Sequence, residues 1–351
     1  MTRFSRTPRL VLGAVALVAL TVGVFARPVV FGGRVGEGAF VVARPSMSST
    51  SSAASASLAP GKPTTTAPVA VPTPARMVAW GPTPLVVAAA APAPAVSGDA
   101  AILVDESSGV SLFEKDVHTR LPPASLTKIM TVLVALERGH LDDRVEVNID
   151  SRRMRGSTVM GLVPGERLTL EDLLYGMMLP SGNDAALAIA EHISGSTDAF
   201  VEVMNQRAAE LGLINTHFAN PHGLDAPSHY SSAFDLAVLA RVAMQRQDFR
   251  EIANTKYRVV TGAMATYQLG TLNPLYGRLA GVDGVKTGFT RTARQTLVGS
   301  VTRNGHRIIV VVLRSPDRAS DGTALLNWAF EAHAWPTPTT VAADSLMVPG
   351  T

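Results

Sequence analysis

The sequence contains no cysteine. A disulfide framework, a thiolate nucleophile and a cysteine-based zinc site are therefore excluded. The eight histidines include no His-Glu-x-x-His motif and form no close cluster with aspartate. We therefore expect neither a catalytic metal nor a cofactor.

A strong basic charge is also missing from most of the chain. The isoelectric point is about 9.4 and the formal net charge is +3. Residues 100–334 nevertheless carry 23 lysines and arginines against 25 aspartates and glutamates, a balance of −2. The basic character belongs to the N-terminal segments, so we expect no nucleic-acid partner.

The N-terminal apolar run is short for a membrane span. It extends over residues 10–25, whereas a spanning helix usually needs about 20 apolar residues. Three arginines precede it, and Val24-Phe25-Ala26 is an imperfect cleavage site. Residues 1–27 are predicted to be a signal peptide or an uncleaved N-terminal membrane anchor. Either way the protein is expected to be exported, to the cell envelope or beyond.

The next segment has the composition of a tether. Serine, threonine, alanine and proline dominate residues 41–97, with almost no charge. Such a sequence cannot bury enough apolar surface to offset chain entropy. We predict a disordered linker over 28–99, a folded domain over 100–334 and a short tail over 335–351.

Strand patterns occur at both ends of the predicted domain, and helix patterns lie between them. Apolar residues at three- and four-residue spacing predict a central helix over 125–138 and further helices over about 169–179, 183–193, 197–212, 232–246 and 320–333. Strands are predicted near 101–105, 110–113, 282–288, 296–302 and 307–313, with Asn304-Gly305 as a hairpin turn. The fold class is therefore α+β, a mostly antiparallel sheet with a helical cluster.

Three short motifs follow one another along this domain. They are Ser125-Leu126-Thr127-Lys128, Ser181-Gly182-Asn183 and Lys286-Thr287-Gly288. Alone, each has an ordinary explanation as a helix cap, a turn or an exposed strand end. Their order, their spacing and the elements that carry them together indicate a serine acyl-transfer enzyme.

The first motif supplies a nucleophile and a base. Ser125 and Lys128 are three residues apart, so on a helix they share one face. Burial and the positive helix N-terminus should lower the pKa of Lys128, and its neutral amine could take the Ser125 proton.

The other two motifs add groups that could bind and relay. Ser181 and Asn183 offer a second hydroxyl and a fixed amide. Lys286 and Thr287 could bind a carboxylate, and Gly288 permits a close backbone approach.

Together the motifs resemble those of the serine D-alanyl-D-alanine carboxypeptidases, the low-molecular-mass penicillin-binding proteins. The resemblance covers about residues 100–333, and its fold is that of the DD-peptidases and β-lactamases. It includes five further stretches, namely Pro123-Ala124, Asp184-Ala185-Ala186, Asn220-Pro221-His222-Gly223-Leu224, His229-Tyr230-Ser231-Ser232 and Asn273-Pro274.

The resemblance implies a role for each motif residue. Ser125 would attack the penultimate D-alanine carbonyl of a peptidoglycan stem peptide, with Lys128 as its base. Ser181 and Lys286 would relay the proton to the leaving D-alanine. Asn183 would position Lys128 and substrate, Thr287 would bind the terminal carboxylate, and the N–H groups of Ser125 and Phe289 would hold the oxyanion. β-Lactam antibiotics would acylate Ser125.

Two departures and three alternatives accompany this interpretation. Ala293-Arg294 stands where the family often has Ala-Gly, and the tail predicts neither a second β-rich domain nor an amphipathic anchor. A class A-like β-lactamase would need a water-activating carboxylate, for which Glu251 has the wrong spacing and Glu166 precedes Ser181. A DD-endopeptidase and a non-catalytic penicillin- or wall-binding protein also stay open.

Overall fold

Six of the seven α-helices described by the computed structural model lie close to the helices predicted from the sequence. The structure describes residues 92–154 and 156–335, together with residues 76, 77, 79, 81 and 83–86. Its helices are α1 Lys128–Arg138, α2 Leu170–Met178, α3 Asn183–Ser194, α4 Thr197–Glu210, α5 Ala233–Gln245, α6 Gln247–Asn254 and α7 Arg318–Ala332.

The strands form one large sheet and three short pairs. They are β1 Leu85–Val86, β2 Ala100–Asp105, β3 Ser111–Lys115, β4 Arg144–Glu146, β5 Arg167–Thr169, β6 Tyr257–Thr261, β7 Thr266–Gly270, β8 Val282–Thr290, β9 Arg294–Arg303, β10 His306–Ser315 and β11 His333–Ala334. The large sheet has the order β3-β2-β10-β9-β8, and every neighbouring pair is antiparallel. The predicted α+β class is confirmed.

The central strands are buried on both faces because helices cover both sides of the sheet. Along β2, Ala101 and Leu103 point into a cluster that includes Leu325 of α7. Ile102 and Val104 alternate with them and join a cluster that contains most of the other helices. Side chains of successive strand residues face opposite sides, so this strand is apolar at every position before its last residue, Asp105.

Helix α1 lies inside the helical layer. Its side chains from Lys128 to Leu136 are all buried, which accounts for an apolar pattern that surrounds the helix. The expected helix start differs, because Ala124–Thr127 forms a tight 3-10 turn before the α-helix begins. The nucleophile candidate thus lies on a turn and its lysine partner on the first residue of a buried helix.

Several elements were missed from the sequence. Helix α6 follows α5 after the single extended residue Arg246, so its apolar pattern merges with that of its neighbour. The pair β4 and β5 has three residues in each strand, too few to show the two-residue period of a strand. The hairpin of β6 and β7 was also missed.

The ordered region begins before residue 100, the expected start of the domain. Strand β1 pairs with β11, and Ser97 and Gly98 donate three hydrogen bonds to the Asp321 carboxylate. This correction concerns only the C-terminal end of the expected linker.

The predicted leader over residues 1–27 lies outside the described residues, as does the tail beyond Trp335. Within the described part of the chain, no helix combines the length and the hydropathy needed to cross a bilayer.

Candidate active site

The three sequence motifs meet at one cleft with a volume of about 620 Å³. Each comes from a different element: the turn before α1, the loop that starts α3, and the end of β8. The predicted site residues that line the cleft are Ser125, Ser181, Asn183, Thr287, Gly288 and Phe289. Lys128 and Lys286 lie behind this lining, where both side chains are buried.

Lys128 reaches Ser125 from the first residue of α1. Its Nζ lies 3.1 Å from Ser125 Oγ and donates to Asn183 Oδ1 at 2.6 Å and to the carbonyl oxygen of His222 at 2.6 Å. The predicted pairing at three-residue spacing is therefore present, and the Asn183 side chain holds the same amine.

The pKa of Lys128 lies well below its usual value. Burial in the apolar interior is the largest cause, and the nearby charge of Lys286 lowers the pKa further, while Asp184 opposes both effects. Desolvation disfavours a charged amine wherever no strong ion pair compensates for it. The site therefore favours the neutral form of Lys128, which is the form that can accept a proton.

The second motif forms a constrained turn before α3. Ser181 has a φ of +64°, and its carbonyl oxygen accepts a hydrogen bond from Thr158 Oγ1 at 2.8 Å. The Ser181 hydroxyl is buried and has no hydrogen-bond partner among the described residues. A buried unpaired hydroxyl is costly, and Ser181 is one of the residues that line the cleft.

Asp184 anchors this turn to the wall of the cleft. Its carboxylate accepts the backbone N–H groups of Met160, Gly161 and Leu162 at 2.7 to 2.9 Å. The side chain is fully buried. It therefore acts as the fixed point between α3 and the segment that carries Thr158.

Strand β8 brings the third motif against the turn that carries Ser125. A Cβ atom on Gly288 would lie 2.8 Å from the Ser125 nitrogen and 2.5 Å from Thr296 Oγ1. Glycine is therefore required for the strand to approach Ser125, whereas the sequence had suggested a close approach of substrate.

The Lys286 amine has few partners. Its Nζ donates to the carbonyl oxygen of Thr287 at 3.1 Å, and it takes part in none of the ion pairs found among the described residues. Burial, followed by repulsion from Arg318, lowers its pKa to about 7.

Three cleft residues escaped sequence analysis. Arg318, at the start of α7, donates to the Gly288 carbonyl oxygen at 2.5 Å, and its Nε has no partner in the described structure. Asp225 accepts a hydrogen bond from Thr290 Oγ1 at 2.7 Å across one end of the cleft. Gly223 has a φ of +94° and lies against Ala124. For Asp225 and Gly223, the family resemblance of residues 220–224 was the only feature of the sequence that pointed to this part of the cleft.

The two glutamates considered as water-activating groups lie elsewhere. Glu166 is fully buried and accepts hydrogen bonds from the Met264 N–H and the Tyr267 hydroxyl. Glu251 lies on α6 and accepts from Gln247. Neither lines the cleft, where Asp225 is the one carboxylate among the described lining residues.

Comparison with known proteins decides the family. The family model described as D-alanyl-D-alanine carboxypeptidase matches residues 87–317. The chain is 38% identical over 242 residues to the D-alanyl-D-alanine carboxypeptidase DacF of Bacillus subtilis, covering 66% of this chain and 62% of the relative. This chain belongs to the D-alanyl-D-alanine carboxypeptidase family.

Another curated relative and two solved structures are also similar to this chain. DacC of Escherichia coli is 38% identical, covering 70% of this chain and 64% of its own length. The Streptomyces K15 DD-transpeptidase structure has a TM-score of 0.65 at 33% identity, covering 68% of this chain and 99% of that one. A Mycobacterium tuberculosis D-alanyl-D-alanine carboxypeptidase structure has a TM-score of 0.64 at 32% identity, covering 72% and 100%. The matched region thus spans less than two thirds of DacF and of DacC.

One departure from the family pattern has a structural consequence. Arg294 has a φ of +54°, a conformation that glycine adopts without steric cost. The Ala-Gly pair that the sequence resemblance led us to expect would fit this turn without strain.

Proposed function

We propose that this protein is an exported serine D-alanyl-D-alanine carboxypeptidase that removes the terminal D-alanine from peptidoglycan stem peptides through an acyl-enzyme on Ser125. The observation that carries the proposal is the contact of 3.1 Å between the buried Lys128 Nζ and Ser125 Oγ on the cleft. The low pKa of Lys128 supports the same assignment.

Acylation follows from the partners of Lys128. A neutral amine has two N–H groups and one lone pair. Asn183 Oδ1 and the His222 carbonyl oxygen accept the two N–H groups, so the lone pair faces Ser125 Oγ. Lys128 takes the hydroxyl proton while Oγ bonds to the D-alanine carbonyl carbon, and the N–H groups of Ser125 and Phe289 hold the oxyanion.

The leaving D-alanine needs a proton and a place for its carboxylate. The unpartnered Ser181 hydroxyl and the Lys286 amine are suited to relay the proton to the departing nitrogen. Thr287 and Lys286 are suited to bind the terminal carboxylate, with Arg318 as a further cation in the cleft. Water then hydrolyses the acyl-enzyme and restores Ser125.

Product analysis tests the proposed reaction. We expect a stem pentapeptide ending in D-Ala-D-Ala to release free D-alanine, and the Ser125→Ala variant to release none. Cleavage of cross-linked dimers without D-alanine release would replace the carboxypeptidase with an endopeptidase.

Penicillin labelling tests the nucleophile. We expect mass spectrometry to show one penicillin per chain, attached to Ser125. Neither Glu166 nor Glu251 lines the cleft to activate water against the adduct, and Asp225, the one carboxylate of the described lining, is engaged by Thr290. Rapid multiple turnover of penicillin would instead support a β-lactamase, and a label on another residue would contradict the assignment of Ser125.

Export and the remaining domain boundaries belong to the same proposal. The basic and apolar pattern of residues 1–27 supports a leader or anchor, and the composition of the linker supports a tether through the cell envelope. Cell fractionation, with N-terminal sequencing of the mature chain, would distinguish a cleaved leader from an anchor.

A further inference from the structure

The turn that carries Ser125 is held in an unfavourable backbone conformation. Ala124, immediately before the nucleophile, has a φ of +50°, which costs an L-residue steric energy. Such a conformation persists only where surrounding contacts hold it. The groups that hold this turn therefore decide where Ser125 Oγ lies.

Two hydroxyls restrain the carbonyl groups of the turn. Thr296 Oγ1 donates to the carbonyl oxygen of Pro123 at 3.1 Å, and Thr127 Oγ1 donates to that of Ala124 at 2.8 Å. Thr127 is fully buried. Its hydroxyl has one proton, so its second contact must be one in which the oxygen accepts.

That second contact is with His229. The distance from His229 Nε2 to Thr127 Oγ1 is 2.8 Å, and His229 Nδ1 accepts the backbone N–H of Ala219 at 2.9 Å. Because Nδ1 accepts, the proton of the neutral ring is on Nε2 and points at Thr127. The chain of donors runs from Ala219 through His229 and Thr127 to Ala124.

We propose that His229 is a positioning residue for the reaction, acting through Thr127 to hold the backbone turn that aims Ser125 at the substrate. His229 is 5% exposed and does not line the cleft, so it does not touch the substrate. Its burial lowers its pKa to about 4, which keeps the ring in the neutral form that this chain of hydrogen bonds requires. The inference rests on the proposed nucleophile.

The test compares acylation rates by a fluorescent penicillin in three variants. Thr127→Val removes the hydroxyl at nearly constant volume, and we expect at least about a 10-fold slower acylation, because small displacements of a reacting atom are costly. Thr127→Ser keeps the hydroxyl and should restore the rate to within about threefold of wild type.

Thr216→Val is the matched control. It removes a threonine hydroxyl contact as Thr127→Val does, here to Ser231 and Asp235, and that hydroxyl makes no hydrogen bond to residues 123–127. We expect it to lower the melting temperature and leave the acylation rate unchanged.

Two results would overturn the inference. One is a folded Thr127→Val protein that is acylated at the wild-type rate while Ser125 still carries the label. The other needs no variant: ¹⁵N NMR of the wild-type protein at pH 7 should show His229 as the Nε2–H tautomer, and the Nδ1–H tautomer would contradict the chain of donors. Absence of any label on wild-type Ser125 would instead refute the proposed function, and the inference with it.

Discussion

Replacing Lys286 with methionine should make the protein less active and more stable. The substitution keeps most of the side-chain volume and removes the charge. In the proposed mechanism a charge-assisted contact to the substrate carboxylate contributes about 3 kcal/mol. Its loss should therefore lower kcat/KM at least about 100-fold. Near-normal turnover of the free-acid peptide would remove Lys286 from the site.

The gain in stability follows from the pKa of the same amine. Burial lowers it from 10.5 to about 7, so between these values the unfolded chain binds more protons than the folded one. Stability then rises with pH across this window, and the folded state is disfavoured at its lower end. The lowered pKa of Lys286 therefore reduces the free energy of unfolding by ~4 kcal/mol at pH 7 and by ~1 kcal/mol near pH 10.

Urea denaturation at pH 7 and pH 10 measures this effect. The Lys286→Met protein should be more stable than wild type at pH 7, and the gap should shrink as the pH rises. The exposed Lys256 is the matched control. Its ammonium lies 5.1 Å from the centre of the Tyr276 ring, a contact worth about 0.5–1 kcal/mol at an exposed site, so Lys256→Met should leave activity unchanged and lower stability by no more than about 1 kcal/mol at either pH. A variant that is no more stable at pH 7, or a gap that does not depend on pH, would refute the reasoning.

Three further predictions test the backbone around the site and the start of the domain. Gly223→Ala would place a Cβ 2.0 Å from the Ala124 carbonyl oxygen and should slow penicillin acylation at least about 100-fold. The control is Gly195, which also has a positive φ but has open space around it. Gly195→Ala should lower the free energy of unfolding by about 1 kcal/mol and leave activity unchanged. Arg294→Gly should raise the free energy of unfolding by about 0.5–1 kcal/mol, because relief of the left-handed strain exceeds the added chain entropy; an unchanged or lower value would contradict this. A chain that starts at residue 100 rather than 92 should lose ~2–4 kcal/mol, because the buried Asp321 loses its three donors from Ser97 and Gly98; equal melting temperatures would show that the segment is dispensable.

The sequence was most informative where the relevant signal is local. Ser125 and Lys128 are separated by a single helical turn. The apolar residues on every side of α1 correctly indicated a helix that is buried all round. Asn304-Gly305 predicted its hairpin turn, and both residues have a positive φ. Each of these features depends on residues within a few positions of one another.

The rest of the site depends on contacts between distant segments. Arg318 is 30 positions from the Gly288 carbonyl that it binds, and no motif marks the start of α7. The group that completes the environment of Lys128 is the backbone carbonyl of His222, and a carbonyl is present at every residue. The need for glycine at 223 appears only when Ala124 is placed beside it.

The site is assembled from features that each lower the stability of the fold. Ser181 has a left-handed φ as well as a buried hydroxyl without a partner, and an unpaired buried group alone costs about 1–3 kcal/mol. Two buried amines, Lys128 and Lys286, add desolvation costs, and neither takes part in an ion pair with any described residue. A domain is typically stable by about 5–15 kcal/mol in total, so these costs are a large fraction of that margin. They can persist because the sheet beneath the site is covered on both faces by apolar layers. It follows that substitutions which relieve strain or remove a buried charge at the cleft should stabilise the protein while disabling it. Relief of strain at Arg294 and removal of the exposed charge of Lys256 concern residues that do not line the cleft, so both should leave acylation intact.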